Sequence, residues 1–146
     1  MNLLKVSRLP HGAGLPLWAY QTAGSAGLDL YAAAGVDVEP GQWKLVPTGF
    51  AMELPPGTVG DIRARSGRAL RDGLTVLQGV GTVDADYRGE VKVLLVNLGP
   101  SPLRIERGER IAQLVVLSVS HVDVVETDAL AESDRSTGGF GSTGDR

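Results

Sequence analysis

The chain has 146 residues, a formal net charge of −3, 20 glycines and no cysteine, enough for one domain with a sizeable core. The missing cysteines exclude disulfides, thiolate catalysis and thiolate zinc sites, and the two well-separated histidines, His11 and His121, argue against a histidine metal centre or a Ser–His triad. The acidic balance argues against a nucleic-acid partner, no apolar run reaches the roughly 18 residues of a membrane span, and the N-terminus does not read as a signal peptide, so a cytoplasmic protein is expected.

In chain order, residues 3–9 alternate loosely and read as a first strand, followed by a turn at 11–14. Residues 27–32 read as a strand that carries Asp29 between two leucines. A short strand at 36–39 ends at the turn dipeptide Pro40-Gly41. Residues 43–46 and 49–54 read as two strands broken at Pro47, and 58–65 alternate toward Arg65-Ser66-Gly67 at a turn. Residues 69–72 fit one helical turn before Gly73. Two apolar strands, 74–78 and 91–97, flank a polar corner at 79–90, GVGTVDADYRGE. Strands at 103–106, 110–118 and 122–126 complete the pattern. Many short strands with frequent turn signals, and no long segment of helical period, predict an all-β sandwich or barrel. From residue 127 apolar residues thin out, and four of the seven residues at 138–144 are Gly, with Phe140 alone among them. The division expected is a β domain at 1–126 and a flexible Gly-rich C-terminal arm at 127–146. Such a tail is either a plain disordered terminus or an arm that orders over a ligand, and Arg135, Ser142 and Thr143 are residue types that bind anions.

Chemistry-bearing residues fall in several of these turns. Arg65, Ser66 and Gly67 offer a guanidinium, a hydroxyl and backbone N–H groups suited to phosphate oxygens, although the same triplet also makes an ordinary exposed turn. Asp84 and Asp86 would face one side of a strand, but a turn breaks that geometry, and each also fits a solvated turn carboxylate. Tyr87 fits a packed strand residue, and Gln113 fits a hydrogen-bonded core amide.

The set, in this order, resembles the trimeric all-β dUTPase family. Five segments carry the resemblance: 26–30 (AGLDL), 65–67 (RSG), 81–89 (GTVDADYRG), 108–114 (GERIAQL), and Arg135 with 138–144 (GGFGSTG). The resemblance implies a jelly-roll fold assembled as a homotrimer with active sites at subunit contacts, and hydrolysis of dUTP to dUMP and diphosphate. That reaction removes dUTP from the nucleotide pool and supplies dUMP for thymidylate synthesis. It further implies that Asp84 is the base for the water attacking the α-phosphorus, and that Tyr87 packs on the deoxyribose and excludes a 2′-hydroxyl. Gln78, Gly81, Thr82, Val83 and Lys92 would line the uracil site. Arg65, Ser66, Gly67 and Gln113 would contact the phosphates. From the arm, Phe140 would stack on uracil, while Arg135, Gly141, Ser142 and Thr143 would close over the β- and γ-phosphates. Mg²⁺ would be held mainly by the triphosphate, with Asp29 reaching it through water, in keeping with a hard cation that retains its waters.

Four positions depart from the family pattern: Gln78 stands for Asn, Arg68 for Leu, Ala64 for Pro, and Ser136-Thr137 for a Gly-led pair. Arg68 is expected to point to solvent. Alternative readings are a dCTP deaminase-like enzyme of the same fold, a non-catalytic jelly-roll nucleotide-binding module, and a general nucleoside-triphosphate pyrophosphatase. The hairpin holds Asp84 where deaminase chemistry needs a glutamate.

Overall fold

The computed structural model describes residues 3–140 and Ser142. Its strands are β1 (Lys5–Arg8), β2 (Leu28–Tyr31), β3 (Val36–Val38), β4 (Trp43–Glu53), β5 (Thr58–Arg63), β6 (Leu74–Val76), β7 (Val80–Val83), β8 (Glu90–Asn97), β9 (Leu103–Ile105) and β10 (Arg110–Ser118). A 3-10 turn at Pro10–Gly12 and one helix, α1 (Ser66–Asp72), interrupt them. One four-stranded sheet runs β1-β4-β8-β6, a second runs β2-β10-β5-β7, and β3 pairs with β9. All pairings are antiparallel, and the result is all-β, as the strand pattern predicts, and jelly-roll-like, as the resemblance implies.

The core is made by the inward positions of these strands. Phe50 from β4, Val91, Val93 and Leu95 from β8, Leu30 from β2, and Ile111 and Leu114 from β10 are fully buried. Each buried side chain of this size contributes on the order of 1.5–3 kcal/mol. Trp18 meets Phe50 edge-on at 5.5 Å, and the Arg8 guanidinium lies 4.6 Å from the centre of the same ring. Asn97 is wholly buried yet satisfied: its amide donates to the carbonyls of Val38 and Ser101, and its oxygen accepts from the Gly99 N–H.

Three expectations are corrected. Pro47 does not break β4, which is continuous from Trp43 to Glu53; instead the register with β8 shifts between Pro47 and Ala51. Pro47 loses its own donor, but its carbonyl still accepts from the Ala33 N–H at 2.8 Å, so the strand runs on. Helix α1 begins at Ser66 and absorbs Ser66-Gly67, which read as turn residues; Gly73, left-handed at φ 70°, ends it. Residues 122–126 form no strand, and Val122, Val124 and Val125 lie exposed. Strand pairing ends at Ser118, opposite Thr58, and residues 122–126 join none of the sheets.

The shift in β4 has a specific cause. A Cβ on Gly49 would come within 2.5 Å of the Gly12 Cα, and Gly49 sits at φ 76°. Gly57 has nearly the same φ, 74°, with nothing within 4 Å. Gly49→Ala is therefore expected to cost about 2–4 kcal/mol, the sum of left-handed strain and overpacking, whereas Gly57→Ala carries only the backbone part, about 1–2 kcal/mol. Urea unfolding at fixed protein concentration measures both.

Candidate active site

Two clusters carry the chemistry, one at each end of β5. The first centres on Asp29. Strand β10 lies between β2 and β5, so Gln113 has Asp29 on one side and Arg63 on the other. The β10 register slips between Arg110 and Ala112, which brings Arg110 within reach of Asp29. Asp29 is 6% exposed. Its Oδ2 accepts from Arg110 Nη1 at 3.0 Å, and its Oδ1 lies 3.4 Å from Arg65 Nε. A buried carboxylate requires such partners, and here it fixes two guanidinium groups at one sheet end.

Arg65 also donates to the Arg110 carbonyl at 3.0 Å, which ties the two arginine-bearing segments together. Ser66 and Gly67 open α1 and are exposed. Gln113 is a hydrogen-bonded amide: it donates to the Ala64 carbonyl at 2.9 Å and so anchors the residue before Arg65. Gly27 makes room for it, because a Cβ there would come 2.4 Å from Gln113 Oε1.

Arg68 does not point to solvent. Its side chain is 13% exposed, with Nη1 2.8 Å from Glu109 Oε2 and Nε 2.6 Å from Asp72 Oδ2. The Nε contact is an ion pair without hydrogen-bond geometry, since Nε has no hydrogen-bond partner. Burial pushes the Asp72 carboxyl up, but Arg71 and Arg68 together hold it below its ordinary value. The clamp thus ties α1 to the turn that leads into Arg110.

The second cluster is the 79–90 corner. Strands β6 and β8 pair directly, while β7 crosses to the other sheet and pairs with β5. The corner therefore spans the two sheets. Thr82, Val83, Asp84, Tyr87, Glu90 and Lys92 line a pocket of about 390 Å³ together with Leu45 and Val91. Asp84, Thr82 and Asp86 also border a second hollow of about 670 Å³ that reaches Thr58 and His121. Gly81 is buried beneath the corner, with the Gln78 amide nitrogen 3.7 Å from where its Cβ would sit. The Tyr87 N–H closes the turn on the Asp84 carbonyl at 3.2 Å, and the Tyr87 hydroxyl donates to the Glu90 carbonyl at 3.0 Å. The two aspartates make no side-chain hydrogen bond among the described residues; Arg88 closes the turn instead, donating to the carbonyls of Ala85 and Tyr87. Glu90 accepts from His11 at 2.6 Å and from the Gly49 N–H at 2.9 Å, with Lys92 at 3.9 Å. Burial pushes its carboxyl up, but these partners hold it below the usual range.

One chain does not bring the two clusters together. Val83 is level with Gly60, and Arg63 with Val80, so Asp84 and Arg65 lie at opposite ends of β5. Six residues of strand separate the levels of Val59 and Arg65, roughly 20 Å. The arm residues Arg135, Phe140 and Ser142 join neither cluster: among the described residues their hydrogen bonds are local, such as Arg135 Nε to the Gly138 carbonyl at 2.8 Å. Phe140 is fully exposed. Gly141 and Thr143 lie outside the described residues. Three contributors escaped the motif reading. Arg110 stands inside the 108–114 segment and was detectable as the cation opposite Asp29. Glu90 and His11 sit 79 residues apart and carry no joint sequence signal.

Comparison with known proteins identifies the family and the fold. The dUTPase family model matches residues 14–144. A deoxyuridine 5'-triphosphate nucleotidohydrolase of Methylocella silvestris is 56% identical over 143 residues, covering 95% of this chain and 89% of that protein. One from Rhizobium meliloti is 54% identical over 145 residues, covering 97% and 91%. Among solved structures, the dUTPase of Staphylococcus bacteriophage 80alpha with dUPNHPP superposes with a TM-score of 0.90 at 26% identity, covering 99% of each chain. A dUTPase of phage phi11 of S. aureus, whose structure concerns coordination of a structural Mg(II) ion, shares the fold at a TM-score of 0.81 and 21% identity, covering 90% of this chain and 100% of that one. With a family model spanning 14–144 and relatives above half identity along almost its whole length, the chain belongs to the dUTPase family.

Proposed function

We propose that the protein hydrolyses dUTP to dUMP and diphosphate. The observation that carries this reading is the corner pocket, where Asp84 stands beside Tyr87, Thr82, Val83 and Lys92 in a chain of this family. Asp84 is assigned as the base. It takes a proton from a water whose oxygen attacks the α-phosphorus, the bond from that phosphorus to the bridging oxygen breaks, and diphosphate leaves. Gln78, Gly81, Thr82, Val83 and Lys92 are assigned to uracil, and Tyr87 to the deoxyribose. Arg65, Ser66, Gly67 and Gln113 are assigned to the phosphates.

These assignments need two copies of the chain. The base and the phosphate-binding arginine sit roughly 20 Å apart in one subunit, a span set by strand rise and longer than the reacting end of a nucleotide. A homotrimer with sites at subunit contacts supplies the second half, and a cyclic assembly closes such heterologous contacts. The exposed Val122, Val124 and Val125, which join no sheet of their own chain, support assembly because another chain would cover them.

Mg²⁺ enters this scheme as part of the substrate, Mg·dUTP. Among the described residues no three carboxylates or histidines gather as a ligand set, which suits an ion held by phosphate oxygens and water. Asp29 is assigned a water-mediated contact with it through Oδ1, whose Arg65 partner is the more distant one. The arm at 127–146 is assigned as the closing element. Phe140 supports this: its aromatic ring is fully exposed and free to stack on a uracil ring. A cytoplasmic location is proposed; no helix among the described residues is long and apolar enough to cross a membrane.

A nucleotide panel with and without Mg²⁺ tests the reading. Diphosphate from dUTP, with little from dTTP or UTP, is expected. Ammonia from dCTP would instead indicate a deaminase, binding without turnover a binding module, and equal hydrolysis of UTP and dTTP a general pyrophosphatase. Asp84→Asn is expected to lower kcat by about 10²–10⁴ while dUTP affinity, measured by calorimetry, stays near wild type. Deleting residues 134–146 is expected to leave the trimer folded and to cut turnover about a hundredfold or more, the scale of a lost arginine finger; near-normal turnover in the truncated protein would remove the arm from the mechanism.

A further inference from the structure

The corner is held from below by a part of the chain that no sequence motif connects to it. Between Pro47 and Ala51 the β4–β8 ladder is interrupted, and Gly49 falls in the gap. Its N–H donates to Glu90 Oε1 at 2.9 Å instead of to the ladder. The same oxygen accepts from His11 Nε2 at 2.6 Å. Glu90 is the first residue of β8, and its carbonyl receives the Tyr87 hydroxyl at 3.0 Å. The tyrosine is confined on the other side by Gly89, where a Cβ would come 2.4 Å from the hydroxyl. Tyr87 therefore rests on the backbone of Glu90, and the Glu90 side chain is anchored by His11.

His11 is itself placed with little freedom. It belongs to the 3-10 turn at Pro10–Gly12, pressed against Gly49, where a Cβ on Gly12 would come 2.3 Å from the Gly49 carbonyl oxygen. Arg8 donates to the carbonyls of Gly12 and Leu15, each at 2.6 Å, and Arg107 donates to the His11 carbonyl at 3.2 Å. Around the Glu90 carboxylate the titratable neighbours are His11 from the turn and Lys92 from β8, the latter at 3.9 Å. The Glu90 side chain is 13% exposed, so water competes weakly for the carboxylate.

We propose that His11 is a positioning residue for Tyr87, acting through Glu90, and that the His11–Glu90 contact sets how strictly the site separates a deoxyribonucleotide from a ribonucleotide. The inference rests on the proposed assignment of Tyr87 to the deoxyribose. The physical reason is stiffness. A ring rejects an added 2′-hydroxyl only if it resists moving aside, and the half-exposed Tyr87 is steadied at its far end by the hydroxyl's hydrogen bond to the start of β8. Loosening the carboxylate anchor frees that start without touching the base, Asp84. The loss therefore falls on binding and selectivity rather than on the chemical step.

The test uses His11→Ala and His11→Gln in the full chain, with far-UV circular dichroism confirming the fold. For His11→Ala the expected result is a KM for dUTP raised about three- to tenfold, the scale of one ordinary net hydrogen bond, with kcat within about twofold of wild type. The ratio of kcat/KM for dUTP over UTP is expected to fall by a similar factor. His11→Gln, which keeps a neutral donor, is expected to recover part of both. A second readout is independent of turnover: in protein with ¹³C-labelled tyrosine rings, the signal absent from Tyr87→Phe shifts in His11→Ala while those of Tyr20 and Tyr31 stay. If wild type hydrolyses dUTP and His11→Ala keeps its KM, its selectivity and an unmoved Tyr87 signal, the inference is overturned and the proposed function stands. If wild type does not turn over dUTP, the assignment of the site falls and the inference with it.

Discussion

The fixed length of β5 constrains everything else in this molecule. A strand is a rigid ruler of about 3.3 Å per residue, and its two ends here carry different chemistry. One end leads into Arg65, which is held by Asp29 and the Arg110 carbonyl. The other lies beside Asp84 and the turn that holds Tyr87. Neither end can swing toward the other, because both sheets are locked by a core with Phe50, Leu30, Leu95 and Leu114 at full burial. The rigidity that positions each half-site also prevents a subunit from closing on itself. Assembly then becomes part of the proposed catalysis rather than an addition to it.

The helix α1 and the corner meet this constraint in different ways. Around Arg65 the local order comes from charge: Asp29 grips two guanidinium groups, and Arg68 bridges Glu109 and Asp72. Around Asp84 it comes from backbone: the turn closes on carbonyls of Asp84, Ala85, Tyr87 and Glu90. A phosphate site needs fixed positive charge with room for a polyanion. A base-reading site needs tight, shape-selective backbone. The two halves have the kinds of order their proposed ligands require.

The strand pattern was legible because a sandwich writes itself into alternation and turns. Strand β10 was bounded at Arg110 and Ser118 from sequence and is found there. The two apolar strands flanking the corner were legible too, but their pairing with each other appears only in the fold. What alternation could not show was β7 leaving for the second sheet, because a four-residue strand inside a polar loop has too few apolar positions to declare its partner. Pro47 misled for a related reason: losing one donor matters only if that donor is needed, and Glu90 takes over the nearby Gly49 N–H. The strand expected at 122–126 alternates well enough, but pairing needs a free edge, and the sequence of one chain does not say whose edge that is. The His11–Glu90 contact was illegible for a plainer reason: two residues of unlike type, far apart, meet only because two glycines let the backbones cross.

Charge gives the last link between fold and ligand. A chain with a net charge of −3 is a poor general host for a triphosphate. The field that matters is local. Asp29, Arg65 and Arg110 form a group of two cations and one anion, so one positive charge remains at that sheet end. Arg68 adds nothing to it, because Glu109 and Asp72 already take its charge, and the departure from Leu at this position therefore acts on the seating of α1 rather than on phosphate affinity. One residual charge is too little to hold a triphosphate alone. Under the proposed assignments the remaining charge would be met by Mg²⁺ and by Arg135 of the arm. In the proposed reaction that arrangement would favour release once diphosphate separates from dUMP, since each product would face the fixed arginines with fewer partners. A more basic cluster would hold the products longer, so under the same assignment the carboxylate of Asp29 moderates phosphate binding as well as positioning the arginines.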